Sequence, residues 1–115
     1  MSDLALARRL ALSMPEVTEE PHFDMTSFRV RGKIFLTAPP GETHLHVFVD
    51  PLEVEGYVAP DPAAFEPLHW GKQVRGLRVT LAVTPAASLA ELIEEAWRCK
   101  APKSLVTAFD QRPRG

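Results

Sequence analysis

The sequence predicts an α+β fold in which an antiparallel β-sheet carries helices from both ends of the chain. Two observations predict it. Apolar residues near both termini recur at helical spacing, whereas residues 26–83 contain the alternating or continuous apolar runs typical of strands. The length of 115 residues is enough for one domain with one core. We expect that domain to span residues 1–110, followed by a polar tail over residues 111–115.

Composition and charge are those of an ordinary globular protein, with 45% apolar residues, 24% charged residues and a net charge of −2. No stretch is long and apolar enough to cross a bilayer, and the N-terminus lacks the pattern of a secretory signal. The single cysteine, Cys99, excludes an internal disulfide and fits a reducing compartment. We therefore expect a cytoplasmic protein that does not bind membranes, and we favour a monomer over an oligomer.

The first element is a predicted helix over residues 3–13, which Ser2 is expected to cap. One side of this helix carries an apolar stripe formed by Leu4, Ala7 and Ala11. Pro15 ends the helix. The following segment "PEVTEEPH" (residues 15–22) is expected to be an acidic connector.

The first hairpin is predicted around "VRGKIFLTA", which begins at Val30. A two-residue turn at Arg31-Gly32 places Phe28 opposite Phe35. Leu36 is then expected on the other face of the sheet.

The next strand is predicted in "THLHVFVDP" (residues 43–51), which alternates between two faces. One face is expected to carry Leu45, Val47 and Val49, and the other His44, His46 and Phe48. Asp50 is expected to cap a short helix that begins at Pro51, and "PDPAAFEP" (residues 60–67) is expected to form a second helical turn.

The second hairpin is predicted around "VRGLRVTLA", which begins at Val74 and repeats the Val-Arg-Gly corner of the first. Its turn is expected at Arg75-Gly76. The face directed toward the core is then formed by Leu77, Val79, Leu81 and Val83.

A long C-terminal helix is predicted after a capping box that runs from Ser88 to Glu91. Its buried stripe is expected to consist of Leu89, Leu92, Ile93, Ala96 and Trp97. Pro102 ends this helix, and "KSLVTAF" (residues 103–109) is expected to form one more short helix.

The cations are concentrated in the two hairpins. Residues 25–38 and 67–83 contain lysine or arginine and no acid, whereas residues 39–66 contain acids and no lysine or arginine. The six candidate nucleic-acid-binding residues are Arg29, Arg31, Lys33, Lys72, Arg75 and Arg78. The simpler interpretation is that these side chains only solubilise two ordinary turns.

The sequence contains none of the common catalytic motifs, and we expect no catalytic residue, metal or cofactor. His44 and His46 lie two apart on a strand and point the same way, but the sequence offers no third metal ligand. Cys99 lies near the end of a helix and not at a helix N-terminus, so we expect an inert, partly buried thiol. Phe48 and Trp70 are the two aromatic residues that could stack on the bases of a single-stranded nucleic acid, but we expect both in the core.

Four stretches of the chain resemble one family of small bacterial proteins. They are "ALSMPEVTEEPHF", "GKIF", "VFVDP" and "EEAWRCKAPKSL". In order and content these stretches resemble the MmcQ/YjbR family, and the resemblance covers nearly the whole chain. It implies a CyaY-like fold, in which two hairpins form a proposed "double wing" that contacts DNA. The chain departs from the family pattern after Trp70, where the glycine-rich segment "GKQVRG" follows.

The sequence therefore predicts a non-enzymatic binding domain that holds DNA weakly, and largely independently of base sequence, through its two basic hairpins. The alternative is a protein-interaction or chaperone-like module that uses the exposed face of the sheet. The two hypotheses differ in the surface that they require. A DNA-binding domain collects its cations on one continuous surface, whereas a protein-binding module shows an exposed apolar patch.

Overall fold

The computed structural model describes residues 2–112 and confirms the predicted α+β architecture. Within these residues the chain forms six strands, which are β1 (Val17–His22), β2 (Met25–Val30), β3 (Lys33–Ala38), β4 (His44–Val47), β5 (Phe65–Trp70) and β6 (Gln73–Thr80). They form one antiparallel sheet in the order β1-β2-β3-β4-β6-β5. The short strand β4 therefore lies between the two hairpins β2–β3 and β6–β5.

The same residues contain four α-helices, which are α1 (Leu4–Leu12), α2 (Val54–Val58), α3 (Ala86–Lys100) and α4 (Lys103–Gln111). Two short 3₁₀ helices, Pro51–Glu53 and Leu81–Val83, connect them to the sheet. None of the helices within residues 2–112 is long and apolar enough to cross a membrane.

The core lies between the sheet and the helices α1 and α3, which pack against each other. The predicted stripe of α3 is confirmed, because all five of its residues are buried: Leu89, Leu92, Ile93, Ala96 and Trp97. The stripe of α1 is also buried as predicted. One face of the sheet is thereby covered by helices, and the other face is left open between β1 and β5.

The N-terminal region differs from the prediction at two points. Asp3, not Ser2, caps α1, because its carboxylate accepts a 2.8 Å hydrogen bond from the backbone N–H of Leu6. The hydroxyl of Ser2 is buried and donates instead to the carbonyl of Thr84. The predicted acidic connector contains a strand, β1, which pairs with β2 along its whole length. It escapes a pattern-based prediction because the side chains of this edge strand are mostly exposed on both faces.

The turn of the first hairpin lies at Arg31-Gly32 as predicted, and both residues have positive φ angles, of 50° and 81°. This is the geometry of a two-residue type I′ turn, which glycine adopts easily. The predicted register is wrong beyond the turn. A bulge shifts it, so that Phe28 lies opposite Leu36 instead of Phe35, and Phe35 and Leu36 are both buried.

The turn of the second hairpin is not at Arg75-Gly76. It lies at Gly71-Lys72, where Gly71 has a φ angle of 63°, and residues 73–80 continue as β6. Arg75 is the extra residue of a bulge, because His69 pairs with Val74 and the next strand pair is shifted. The second Val-Arg-Gly corner is therefore in mid-strand, and the two corners are not structural equivalents.

The region of β4 and α2 follows the prediction closely. Leu45, Val47 and Val49 are buried, and the carboxylate of Asp50 accepts a hydrogen bond from Leu52 at the start of the 3₁₀ helix. The segment over residues 60–67 forms a turn that leads into β5 and no further helix.

The C-terminal region differs from the prediction at the start of α3 and at the end of α4. Pro85 precedes the first residue of α3, so Ser88 lies inside the helix and does not cap it. Val83, predicted to face the core, lies in a 3₁₀ helix and is exposed. The short helix α4 is longer than expected and ends at Gln111, within the predicted polar tail. The rest of that tail, residues 113–115, lies outside the described residues.

Candidate functional site

The turns of the two hairpins lie at the same end of the sheet. Strand β4 is antiparallel to both neighbours, because Val47 pairs with Leu36 of β3 and with Leu77 of β6. The first residues of β3 and β6 therefore lie at the same end, and so do the turns Arg31-Gly32 and Gly71-Lys72 that precede them. Because β4 stops at Val47, the two hairpins project beyond it on either side.

Arg31, at the tip of the first hairpin, is held by an acid of the same chain. Its Nε donates to Oε1 of Glu16 at 2.7 Å, and its Nη2 donates to Oε2 at 3.1 Å. The hydrogen bond to Arg31 lowers the pKa of the Glu16 carboxyl, and the same bond raises the pKa of the guanidinium. Glu16 therefore neutralises the cation at the tip of this hairpin, which is one of the six candidate nucleic-acid-binding residues.

Two more of the candidate nucleic-acid-binding residues, Arg29 and Arg78, also form hydrogen bonds within the protein. Arg29 donates to the hydroxyl of Ser27 at 3.0 Å and to the carbonyl of Pro21 at 3.3 Å. Arg78 donates to Oε1 of Glu66 on the neighbouring strand at 3.0 Å. Both arginines lie on the open face of the sheet.

Three of the six predicted cations remain exposed and are not paired with any acid among residues 2–112: Lys33, Lys72 and Arg75. Lys33 follows the first turn directly, and Lys72 is part of the second. The guanidinium of Arg75 lies over the ring of Trp70, with its Cζ atom 5.6 Å from the ring centre. The structure thus keeps cations available on both hairpins, but on fewer side chains than the sequence suggests.

A row of polar residues crosses the open face at right angles to the strands. Successive strand pairs bring together Glu20, Ser27, Thr37, His46, Arg78 and Glu66. Ser27 and Thr37 are buried, and each has a hydrogen-bond partner. The middle of the open face is therefore polar.

His46 is the titratable group at the centre of this row. Its Nδ1 lies 3.3 Å from the hydroxyl of Thr37. Partial burial lowers the pKa of His46, and the neighbouring Arg78 and His44 lower it further. The imidazole is therefore neutral near pH 7, so one ring nitrogen donates a hydrogen bond and the other accepts one.

Beside the polar row lies a cavity of about 250 Å³, which we call the aromatic cavity. Its walls include His22, Thr37, His46, Phe48, His69 and Trp70. Trp70, predicted in the core, is 69% exposed, and Phe48 is only partly buried. Both aromatic residues thus stand on the open face and not in the core, where they were expected; for Phe48 this agrees with the predicted strand face that it shares with His44 and His46.

A second cavity of about 350 Å³, the cationic cavity, lies at the end of β4 and includes Asp50, Arg75, Cys99 and Lys100. A third cavity joins the two, because it shares Trp70 with the first, Lys100 with the second and Phe48 with both. We call the three together the trough.

Cys99 lies in the cationic cavity and differs from the expected partly buried thiol, because its side chain is exposed. The neighbouring protein atoms nevertheless remove part of its water shell and raise the pKa of the thiol. Cys99 is therefore protonated at neutral pH and is a poor nucleophile.

The histidine pair on β4 does not form part of a metal cluster within residues 2–112, where no three His, Cys, Asp or Glu side chains are grouped to hold an ion. His44 and His46 both point to the open side, as predicted. Nδ1 of His44 lies 2.8 Å from the hydroxyl of Thr43.

Comparison with known proteins supports the fold and decides the family. The family model of YjbR matches residues 12–99, which is most of the chain. The chain belongs to the YjbR family. The resemblance that the sequence motifs suggest is thereby confirmed.

The YjbR chain also matches a solved structure, that of Deinococcus radiodurans protein DR2400, whose family-model domain is DUF419. The two share 18% sequence identity and a TM-score of 0.76, over 97% of this chain and 91% of the other. This similarity shows a common fold. No curated protein matches the YjbR chain.

The sequence analysis missed three features of the site: strand β1, the position of the second turn, and the trough. A local signal for the turn exists, because "WGKQ" places glycine where a two-residue hairpin turn requires a positive φ angle. The repeated Val-Arg-Gly motif drew the prediction away from it.

Proposed function

We propose that this YjbR chain is a non-enzymatic cytoplasmic domain that binds DNA weakly, and largely independently of base sequence, between its two hairpins. One observation carries the proposal. Both turns lie at the same end of the sheet, and each hairpin presents there a lysine that is not paired with an acid among residues 2–112, Lys33 on the first and Lys72 on the second.

The strength of binding follows from the small number of free cations. Contacts to phosphate release counterions and are independent of base sequence, and such binding has dissociation constants of about 10⁻⁴ to 10⁻⁶ M at physiological salt. The chain has a net charge of −2, which opposes approach to DNA. The proposed complex is therefore weak and is favoured by low ionic strength.

The test is fluorescence anisotropy with a short labelled duplex at low salt. We expect the Lys33→Glu, Lys72→Glu double variant to lose measurable binding. The matched control is Arg9→Glu, Lys103→Glu, which makes the same change in net charge on exposed residues of α1 and α4. Equal losses in both variants would show that only net charge matters, and no binding by the wild type would reject the proposal.

A third variant tests the role of the Arg31–Glu16 pair. Glu16→Gln removes the negative charge and leaves the guanidinium available for phosphate. We expect this variant to bind the duplex more tightly than the wild type does, because one more cation then contributes to binding. Unchanged or weaker binding would mean that the tip of the first hairpin does not contact DNA.

A protein-interaction role is the second candidate, and the exposed aromatic side chains favour it. Phe23, in the turn between β1 and β2, is 91% exposed, and its ring centre lies 4.8 Å from that of His22. Exposed aromatic groups are common at protein-binding surfaces. If the wild type fails to bind DNA in the experiment above, this surface becomes the better account of the open face.

A further inference from the structure

We infer that the trough on the open face holds one nucleotide unit of an unpaired DNA strand, with the base against Trp70 and Phe48 and the phosphate against Arg75 and Lys100. The inference rests on the proposed DNA binding and goes further, because it names unpaired DNA as the preferred form.

The aromatic cavity offers flat surfaces for a base. Trp70 is largely exposed, although burial of a tryptophan side chain usually stabilises the folded protein. Its exposed ring is therefore available to a ligand. Phe48 stands on the same cavity wall and is only partly buried. Bases of any sequence stack on such rings, and an aromatic ring can reach a base face only when the base is unpaired.

The floor of the aromatic cavity offers hydrogen bonds to the edge of a base. Thr37 and His46 both line it, and they are joined to each other through Nδ1 of the imidazole. The second ring nitrogen, Nε2, is then left to donate or accept according to the tautomer. A base edge carries both donors and acceptors, so this floor tolerates different bases.

The cationic cavity lies one step away along the trough. Arg75 lines both this cavity and the one that joins it to the aromatic cavity, and its guanidinium lies over the Trp70 ring. Lys100, at the end of α3, lines the same two cavities. Asp50 lines the cationic cavity, and its carboxylate already accepts a hydrogen bond from the N–H of Leu52.

The arrangement of the two cavities favours a nucleotide over a peptide. A nucleotide joins a flat ring to an anion, and the trough places aromatic walls next to cations in the same way. A purely apolar peptide segment would offer no anion to Arg75 and Lys100, and an acidic peptide would offer no flat ring to Trp70 and Phe48. Charge and shape together thus match a nucleotide.

The experiment compares a labelled oligothymidine with a blunt-ended duplex of the same length, again by anisotropy at low salt. We expect Trp70→Ala to weaken binding of the single strand by about 5- to 150-fold, the range for loss of one stacked base. Binding of the duplex should change by less than about twofold, because the hairpin lysines are intact. Trp70→Phe, which retains a flat ring, should recover most of the affinity for the single strand.

Two controls accompany these variants. Val83→Ala removes an exposed apolar side chain outside the trough and should leave both affinities unchanged. Circular dichroism shows whether each variant remains folded, and in the Trp70 variants the emission of the buried Trp97 reports the same.

The outcomes separate the two proposals. Duplex binding without single-strand binding overturns the trough inference and leaves the hairpin proposal standing, and equal losses on both probes for Trp70→Ala also overturn it. Single-strand binding without duplex binding supports the trough and overturns the hairpin proposal. Binding of neither probe overturns both. If thymidine monophosphate competes as well as the strand does per nucleotide, the trough is a site for free nucleotides and the inference is wrong.

Discussion

Gly76 shows how much one missing side chain decides in this sheet. A Cβ atom at this position would collide with the carbonyl oxygen of Val47 and lie 3.0 Å from the Cα of Phe48. These are backbone atoms of the neighbouring chain segment, so they cannot rotate away. Glycine therefore allows the chain that leaves β4 to pass close to β6, and this passage brings Phe48 to the trough.

We expect Gly76→Ala to lower the free energy of unfolding by about 1–3 kcal/mol or more, because the clash involves backbone. Gly56→Ala is the matched control. Gly56 lies in helix α2 with open space around it, and alanine should stabilise that helix by about 0.5–1 kcal/mol. Urea unfolding of both variants checks the prediction. Equal effects of the two substitutions would contradict the close approach of the strands.

At the scale of elements, α3 is the main support of the fold. It packs against α1, β3 and β4, and its stripe is buried as predicted. The indole N–H of Trp97 donates to the carbonyl of Pro15 at 3.0 Å, and its ring lies 5.1 Å from the ring of Phe109 on α4. The side chain of Trp97 thus connects α3 to the segment that follows α1 and to α4.

We expect Trp97→Ala to cost about 3–5 kcal/mol in the free energy of unfolding, because the indole is completely buried. The control is Glu91→Ala on the exposed side of the same helix, which should change stability by less than about 0.5 kcal/mol. Denaturant unfolding followed by circular dichroism measures both. A loss well under 1 kcal/mol for Trp97→Ala would contradict its central role.

At the scale of the whole molecule, ion pairs within the chain reduce the charge that the hairpins present. Arg31 pairs with Glu16, which precedes β1, and Arg78 pairs with Glu66 of β5. Arg29 donates hydrogen bonds to a serine and a backbone carbonyl and lies 4.0 Å from the carboxylate of Glu20. Fewer positive charges are thus available to contact phosphate than the six that the sequence predicts.

The salt dependence of duplex binding measures this effective charge. Each phosphate contact contributes about −0.9 to the slope of log affinity against log salt, so three free cations give a slope of about −3. If all six cations reached phosphates, the slope would approach about −5. Anisotropy titrations at several salt concentrations give the slope directly. A value near −5 would show that DNA displaces the internal ion pairs.

Much of the fold was predictable from the sequence because its signals are local. The helical spacing of the α3 stripe, the proline after α3 and the Arg31-Gly32 turn each lie within a few neighbouring residues. Burial along a helix depends on that spacing alone once one face meets a core. The cap of α1 and the register beyond the first turn were missed, because a neighbouring acid and a bulge decide them.

By itself the sequence determined the fold class, the helices and most of the residues that face the core. Only the tertiary structure decided which cations remain free and which aromatic residues stay exposed. Glu16 reaches Arg31 only because β1 pairs with β2, and Trp70 meets Arg75 only because the second turn lies at Gly71-Lys72. Strand register sets these contacts, and register depends on partners that are distant along the chain.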